Sequence, residues 1–180
     1  MNVNSTFDHK ALAEKVYQTC HLTGEFKLRS GKISNEYFDK YRLEANPEIL
    51  NAIAEKMKSL IPAGTEVLAG LEMGGIPVAT ALSLKTGLPL CFVRKKAKDY
   101  GTCQFAEGAE VRGKNVCIIE DVITSGGQVI LSAADLRAIG AKIQTVVCVI
   151  NRGGDEAIEK LRQDGQLETR SLFQRKDFPA

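Results

Sequence analysis

The chain has 180 residues, 44% hydrophobic and 26% charged, with 24 Lys and Arg against 22 Asp and Glu. That is enough for one domain with its own core, and no apolar run approaches the roughly 20 residues of a membrane-spanning helix. A net charge of +2 gives no global field for nucleic acid or an anionic membrane, so any cationic site has to be local.

From Asp8 to Cys20 the spacing of Leu12, Val16 and Tyr17 predicts a helix. FKLRSGKISNEYFDKY, residues 26–41, alternates and carries charge and aromatics, so it reads as a hairpin. Asn46-Pro47 is a helix start, with Asn as the cap and Pro at the first position. Ile49, Leu50, Ile53, Met57 and Leu60 form the stripe of that helix. A repeating unit follows. TEVLAG (65–70) is a strand, LEMGG a turn, and IPVATALSLKTG (76–87) a helix closed by glycine. LCFVR (90–94) is a strand and 95–113 a long loop. KNVCIIE (114–120) is a strand and QVILSAADLRAIG (128–140) a helix. TVVCVIN (145–151) is a strand, followed by a helix near 154–163 and a weaker strand near 167–172.

Strands that are apolar throughout, alternating with helices, make an α/β fold whose parallel sheet is covered on both faces. Right-handed crossovers bring the loops after the strands to the carboxyl edge of the sheet. LEMGG, the 94–108 loop and EDVITSGG all fall at that edge, and the 26–41 hairpin lies over it as a cover. No repeat or low-complexity tract divides the chain, so residues 1–180 read as one domain. About 1–45 form the N-terminal helix and hood, and about 46–180 the core. Five cysteines in no CxxC spacing, two of them in apolar strands, suit a reducing compartment, hence the cytoplasm. MNVNSTFDHKAL has no secretory pattern.

The segment VCIIEDVITSGGQV, residues 116–129, carries the chemistry. Small residues at a helix start leave backbone N–H groups uncovered, and the helix dipole adds positive potential, which suits a phosphate. Thr124 and Ser125 add hydroxyl donors. The turn is neither GxxxxGK[ST] nor GxGxxG. Glu120 and Asp121, just before it, would repel a phosphate held close. They suit the vicinal hydroxyls of a ribose. A ribose carrying a 5-phosphate satisfies both halves.

This segment resembles the phosphoribosyl pyrophosphate (PRPP) motif of the type I phosphoribosyltransferases. FKLRSGKISNEYFDKY, GLEMGGIP, VRKKAKDYGT and Asn151-Arg152 narrow the resemblance to the orotate phosphoribosyltransferases, from about residue 20 to 172. The resemblance implies a Rossmann-like type I phosphoribosyltransferase core with an N-terminal hood. It also implies transfer of phosphoribose from PRPP to orotate. Two alternatives stay open: a purine or xanthine phosphoribosyltransferase, and a non-catalytic PRPP-sensing regulator that binds nucleic acid.

The roles that the resemblance implies are these. Glu120, Asp121, Val122, Ile123, Thr124, Ser125, Gly126, Gly127 and Gln128 bind PRPP. Arg94, Lys95, Lys98 and Tyr100 meet the pyrophosphate from a mobile loop, with Glu72 and Met73 behind it. Lys98 and Asp121 are the catalytic residues. Tyr100 stands where the family usually has histidine, which removes a proton carrier near pH 7 and leaves a hydrogen-bonding role. Arg152, Thr124, Tyr37, Phe38 and Arg29 take orotate, with Arg152 offering a planar fork to the ring carboxylate. Mg²⁺ is the cofactor, held mainly by PRPP and water rather than by protein. A homodimer sharing the 94–108 loop between subunits is implied, with no nucleic acid and no membrane as partner.

Overall fold

The computed structural model describes residues 7–27, 31–96 and 105–178. Helix α1, His9–Cys20, starts at Asp8, whose Oδ1 accepts a 2.7 Å hydrogen bond from the Ala11 N–H. Strands β1, His21–Lys27, and β2, Ile33–Phe38, form a separate two-stranded antiparallel sheet. The hairpin therefore begins at His21, ahead of the alternating stretch that predicts it, because His21 and Leu22 pair with Phe38 and Tyr37. A one-turn helix α2, Tyr41–Glu44, leads to α3, Pro47–Met57. Asn46 Oδ1 caps α3 by accepting 3.1 Å bonds from the Glu48 and Ile49 N–H groups. Ile49, Ile53 and Met57 are buried as their spacing requires. Leu50 and Leu60 are only partly covered, and Ala52 and Ala54 complete the buried face.

The core alternates β3 (Val67–Leu71), α4 (Gly75–Thr86), β4 (Leu90–Val93), β5 (Ala106–Gly108), β6 (Asn115–Ile123), α5 (Gly127–Ala138), β7 (Lys142–Asn151), α6 (Gly154–Gly165) and β8 (Glu168–Gln174). The six strands are ordered β5-β4-β3-β6-β7-β8 and are parallel except for β5. The edge strand β5 lies inside the segment expected to be loop. Three residues pairing antiparallel with Cys91–Val93 are too short to leave a periodic signal. Strand β6 differs more. It does not end at the acidic pair but runs through it to Ile123, because the ladder with β7 continues from Glu120 opposite Cys148 to Ile123 opposite Asn151.

Each face of the sheet is buried under helices. Leu68, Cys117, Ile119, Val147 and Val149 pack with α1, α3 and α4 residues such as Leu12, Ile53 and Leu82. Val67, Ala69, Ile118, Val146 and Cys148 pack with Val129, Leu136 and Leu161 of α5 and α6. Alternate residues of β6 from Val116 to Ile119 therefore face opposite layers, and the acidic pair follows at the carboxyl end of the strand.

Candidate active site at the carboxyl edge of the sheet

The turn from β6 to α5 is fixed from behind. Gly126 has φ of 72°, a left-handed conformation, and a Cβ placed there would lie 2.9 Å from Leu161 Cγ. Only glycine meets both conditions without cost. Gly126 is the N-cap of α5 and no side chain caps the helix, so its first-turn N–H groups are left to a ligand or water. Thr124 and Ser125 are exposed in front of the turn. On α5, Gln128 Nε2 donates to Ser132 Oγ at 3.3 Å.

Behind the same turn stands the end of β7. The N–H groups of Arg152 and Gly153 both donate to the Ile123 carbonyl, at 2.8 and 3.2 Å. Asn151 is buried, and its Nδ2 donates to the Gly154 carbonyl at 3.2 Å. Arg152 is thus held against the β6–α5 turn by main chain, while its side chain is exposed. Its guanidinium carbon lies 5.5 Å from the centre of the Phe38 ring.

Phe38 belongs to the hood, which is tied down by aromatic contacts. Its ring lies 6.1 Å from Phe178, which in turn meets Phe173 at 5.6 Å. Between hood and sheet lies a cavity of about 320 Å³ walled by Tyr37, Phe38, Arg152, Arg175, His21 and Glu36, among others. Burying a small flat ring needs a concave, partly apolar space of this kind. His21 Nε2 lies 2.9 Å from Glu36 Oε2. That hydrogen bond is the chief reason Glu36 sits below the usual carboxylate range, with the charges of Arg175 and Arg152 acting in the same direction.

The acidic pair is arranged unequally. Asp121 is fully buried, and its Oδ2 lies 2.6 Å from Lys40 Nζ. Its Oδ1 accepts a 2.7 Å bond from the Val122 N–H. Burial opposes its charge, but hydrogen bonds from Glu120, Glu44 and Lys40 outweigh that and hold Asp121 below its ordinary value. Glu120 is only partly buried. Desolvation, and then its contact with Asp121, push its carboxyl well above the ordinary range. Glu44 is pushed up to about 8 by burial and by Asp121. Lys40 and Glu44 are the members of this cluster that sequence reasoning missed. Nothing in DKYRLE signals a contact with a residue so distant in the chain.

A second group forms beside β4. Glu72, Met73, Arg94 and Lys95 line a groove of about 590 Å³ with Tyr41, Phe92 and Glu107. The Glu72–Met73 peptide bond is cis. Arg94 Nε lies 3.8 Å from Glu107 Oε2. Four of the six residues expected at the pyrophosphate end, Glu72, Met73, Arg94 and Lys95, therefore sit together. The hood residues Tyr37 and Phe38 share the other cavity with Arg152. Lys98, Tyr100 and Arg29 lie outside the described residues.

A phosphoribosyl transferase domain matches residues 41–172. The chain is 48% identical to the orotate phosphoribosyltransferase of a Nocardioides species, over 94% of this chain and 93% of that one. The chain belongs to the orotate phosphoribosyltransferase family. Its fold is close to that of the Mycobacterium tuberculosis orotate phosphoribosyltransferase solved with Fe(III) dicitrate. The TM-score is 0.84 and the identity 30%, covering 95% of this chain and 98% of that one. The same M. tuberculosis enzyme solved in complex with PRPP matches with a TM-score of 0.76 and 25% identity, over 95% and 91% of the chains. The fold is thus the type I phosphoribosyltransferase core, with a mostly parallel sheet under a hood. Among the described residues no helix is long and apolar enough to cross a membrane, and Cys20, Cys91, Cys117 and Cys148 are buried free thiols.

Proposed function

We propose that the chain transfers the 5-phosphoribosyl group from PRPP to orotate, giving orotidine 5-phosphate and pyrophosphate in pyrimidine nucleotide synthesis. The observation that carries this reading is the seating of Arg152. Its backbone is bonded to the phosphate turn through Ile123, and its guanidinium faces the hood cavity over Phe38. One residue thereby sets the distance between a 5-phosphate site and a flat, carboxylate-bearing base. A purine offers no ring carboxylate for that fork. A PRPP-sensing nucleic-acid binder would need a basic face, which a net charge of +2 does not supply.

In the reaction the bond from C1 of the ribose to the diphosphate oxygen breaks, and its electron pair leaves with pyrophosphate. The N1 lone pair of orotate forms the new C1–N1 bond. Orotate enters with N1 already deprotonated, so no protein base is required. Positive charge grows on the ribose ring in the transition state, and Glu120 and Asp121 favour it while holding the hydroxyls. The turn at Val122–Gln128 fixes the 5-phosphate and orients C1. Arg152, Tyr37 and Phe38 hold orotate flat in the hood cavity, and Thr124 and Arg29 are the further orotate contacts that the resemblance implies.

The groove at Glu72 and Met73 receives the pyrophosphate. It sets Arg94 and Lys95 against Glu72 and Glu107, so its own charges nearly balance and an entering diphosphate needs a further counter-cation. Mg²⁺ fits that need, carried by diphosphate oxygens and water, and when bound it neutralises the leaving group. Lys98 adds a cation to the departing pyrophosphate, and Tyr100 a hydrogen bond. Tyr41, Met73 and Phe92 are exposed side by side at this groove. That apolar surface supports a homodimer in which the 94–108 segment is shared between subunits. The buried free thiols suit a cytoplasmic enzyme. The test is loss of orotate absorbance that requires both PRPP and Mg²⁺ and fails in Lys98→Ala. PRPP binding without turnover of any base would sink the reading.

A further inference from the structure

Lys40 belongs to the hood, as the residue before α2, yet its Nζ lies 2.6 Å from Oδ2 of the fully buried Asp121. The contact is crowded. A Cβ placed on Gly74 would lie 1.9 Å from Asp121 Oδ2 and 2.8 Å from Glu44 Oε1. Both carboxyl groups therefore lie over Gly74, the N-cap of α4. Glu44 Oε1 and Asp121 Oδ2 are both buried without a well-aligned hydrogen bond, so the Lys40 contact at Oδ2 acts as an ion pair. Glu120 hydrogen-bonds to Asp121 as well, so Asp121 stands between two carboxyl groups. Asp39 adds negative charge at longer range, and Lys40 is the one cation in direct contact with the group among the described residues.

This arrangement has a consequence for a polyanionic substrate. Breaking a buried ion pair by removing one partner leaves the other charge uncompensated. Without Lys40, Asp121 would face Glu44 and Glu120 unpaired. The buried Asp121 charge would then lack its cationic partner, and its side chain, together with the Glu120 that hydrogen-bonds to it, would be free to turn toward the incoming phosphates. We propose that Lys40 is a positioning residue for the acidic pair: it anchors Asp121 from the hood and so leaves Glu120 aimed at the ribose hydroxyls. The proposal rests on the reading of Glu120 and Asp121 as ribose ligands. It adds that the hood, besides covering the base, sets the geometry of the PRPP end.

The test combines calorimetric titration of PRPP with Mg²⁺, without orotate, and steady-state kinetics in both substrates. The proteins are wild type, Lys40→Met, Lys40→Gln, Lys40→Arg and Asp121→Asn. A lost charge-assisted hydrogen bond corresponds to roughly a tenfold or larger effect. Lys40→Met, or Lys40→Gln if the first does not fold, is expected to weaken PRPP binding and raise the PRPP KM by about that factor. The orotate KM should change less than about threefold, and Lys40→Arg should return PRPP affinity to within about threefold. Unchanged PRPP affinity in Lys40→Met, with weakened affinity in Asp121→Asn, overturns the role of Lys40 alone. Unchanged affinity in both overturns the reading of the acidic pair as well. Equal rises in both KM values without rescue by arginine reduce Lys40 to a structural contact and overturn the proposal. A wild type that binds PRPP but consumes no orotate refutes the proposed function, while the calorimetry still decides on Lys40.

Discussion

The guanidinium of Arg152 stands 5.5 Å from the centre of the Phe38 ring, and this contact joins the end of β7 to the hood. Truncating either side should act on the base rather than on PRPP. A bidentate charge-assisted pair contributes about 2–3 kcal/mol, so Arg152→Ala is expected to raise the orotate KM by roughly 100-fold. Arg152→Lys should recover only part of that, because an ammonium lacks the planar fork. Phe38→Ala removes a cation–π contact and the wall behind the base, for about a tenfold loss. In all three the PRPP KM should stay within about threefold, as two-substrate kinetics will show.

Gly153 tests how Arg152 is fixed to the β6–α5 turn. A Cβ there would fall 1.8 Å from the Thr124 carbonyl oxygen and 2.5 Å from Ala157 Cβ. Its φ of −81° is open to alanine, so the cost is steric. Overpacking of this kind costs about 1–3 kcal/mol and shifts backbone. Gly153→Ala is expected to lose about that much stability in urea melts and to raise the KM for both substrates. Gly154→Ala is the control. Its φ is +60° with open space around it, so about 1–2 kcal/mol of stability should go for backbone reasons with KM values nearer wild type.

Glu44 makes stability depend on pH with a definite sign. Its carboxyl rises from an ordinary 4.5 to about 8 in the folded chain through burial and the neighbouring Asp121. The unfolded chain loses this proton first, so the folded state binds more protons between those values, and stability falls as pH climbs through the window. Glu44→Gln removes that loss. The variant's melting temperature should gain on wild type as pH rises from 5 to 8, and a gap that stays constant would contradict the assignment. Asp121 works in the opposite direction. It is held low by its partners, so its contribution is present at neutral pH and is lost on acidification.

The parallel sheet was legible in the chain because unbroken apolar runs such as VCII and VVCVI alternate with helical periods. Asn46-Pro47 marked α3 through a cap whose two bonds are both present. The glycine turn between β6 and α5 was legible because glycines and acids sit in one continuous segment. What the sequence hid was long-range. Strand β5 pairs through three residues only. Strand β6 continues past its acids because β7 extends beside it, and no local pattern carries that information. Lys40 and Glu44 reach Asp121 only once the hood folds back over α4. Of the cations in RKKAK, Arg94 and Lys95 line the groove with Glu72 and Met73, and Lys98 and Tyr100 lie outside the described residues.

The most direct measurement is kcat/KM for orotate beside adenine, hypoxanthine, guanine, xanthine and uracil, with PRPP and Mg²⁺, in wild type and Arg152→Ala. Expected is turnover of orotate by the wild type, no turnover of purines, and selective loss of orotate turnover in the variant. Turnover of a purine with orotate untouched, or an Arg152→Ala variant that uses orotate as wild type does, would contradict the account.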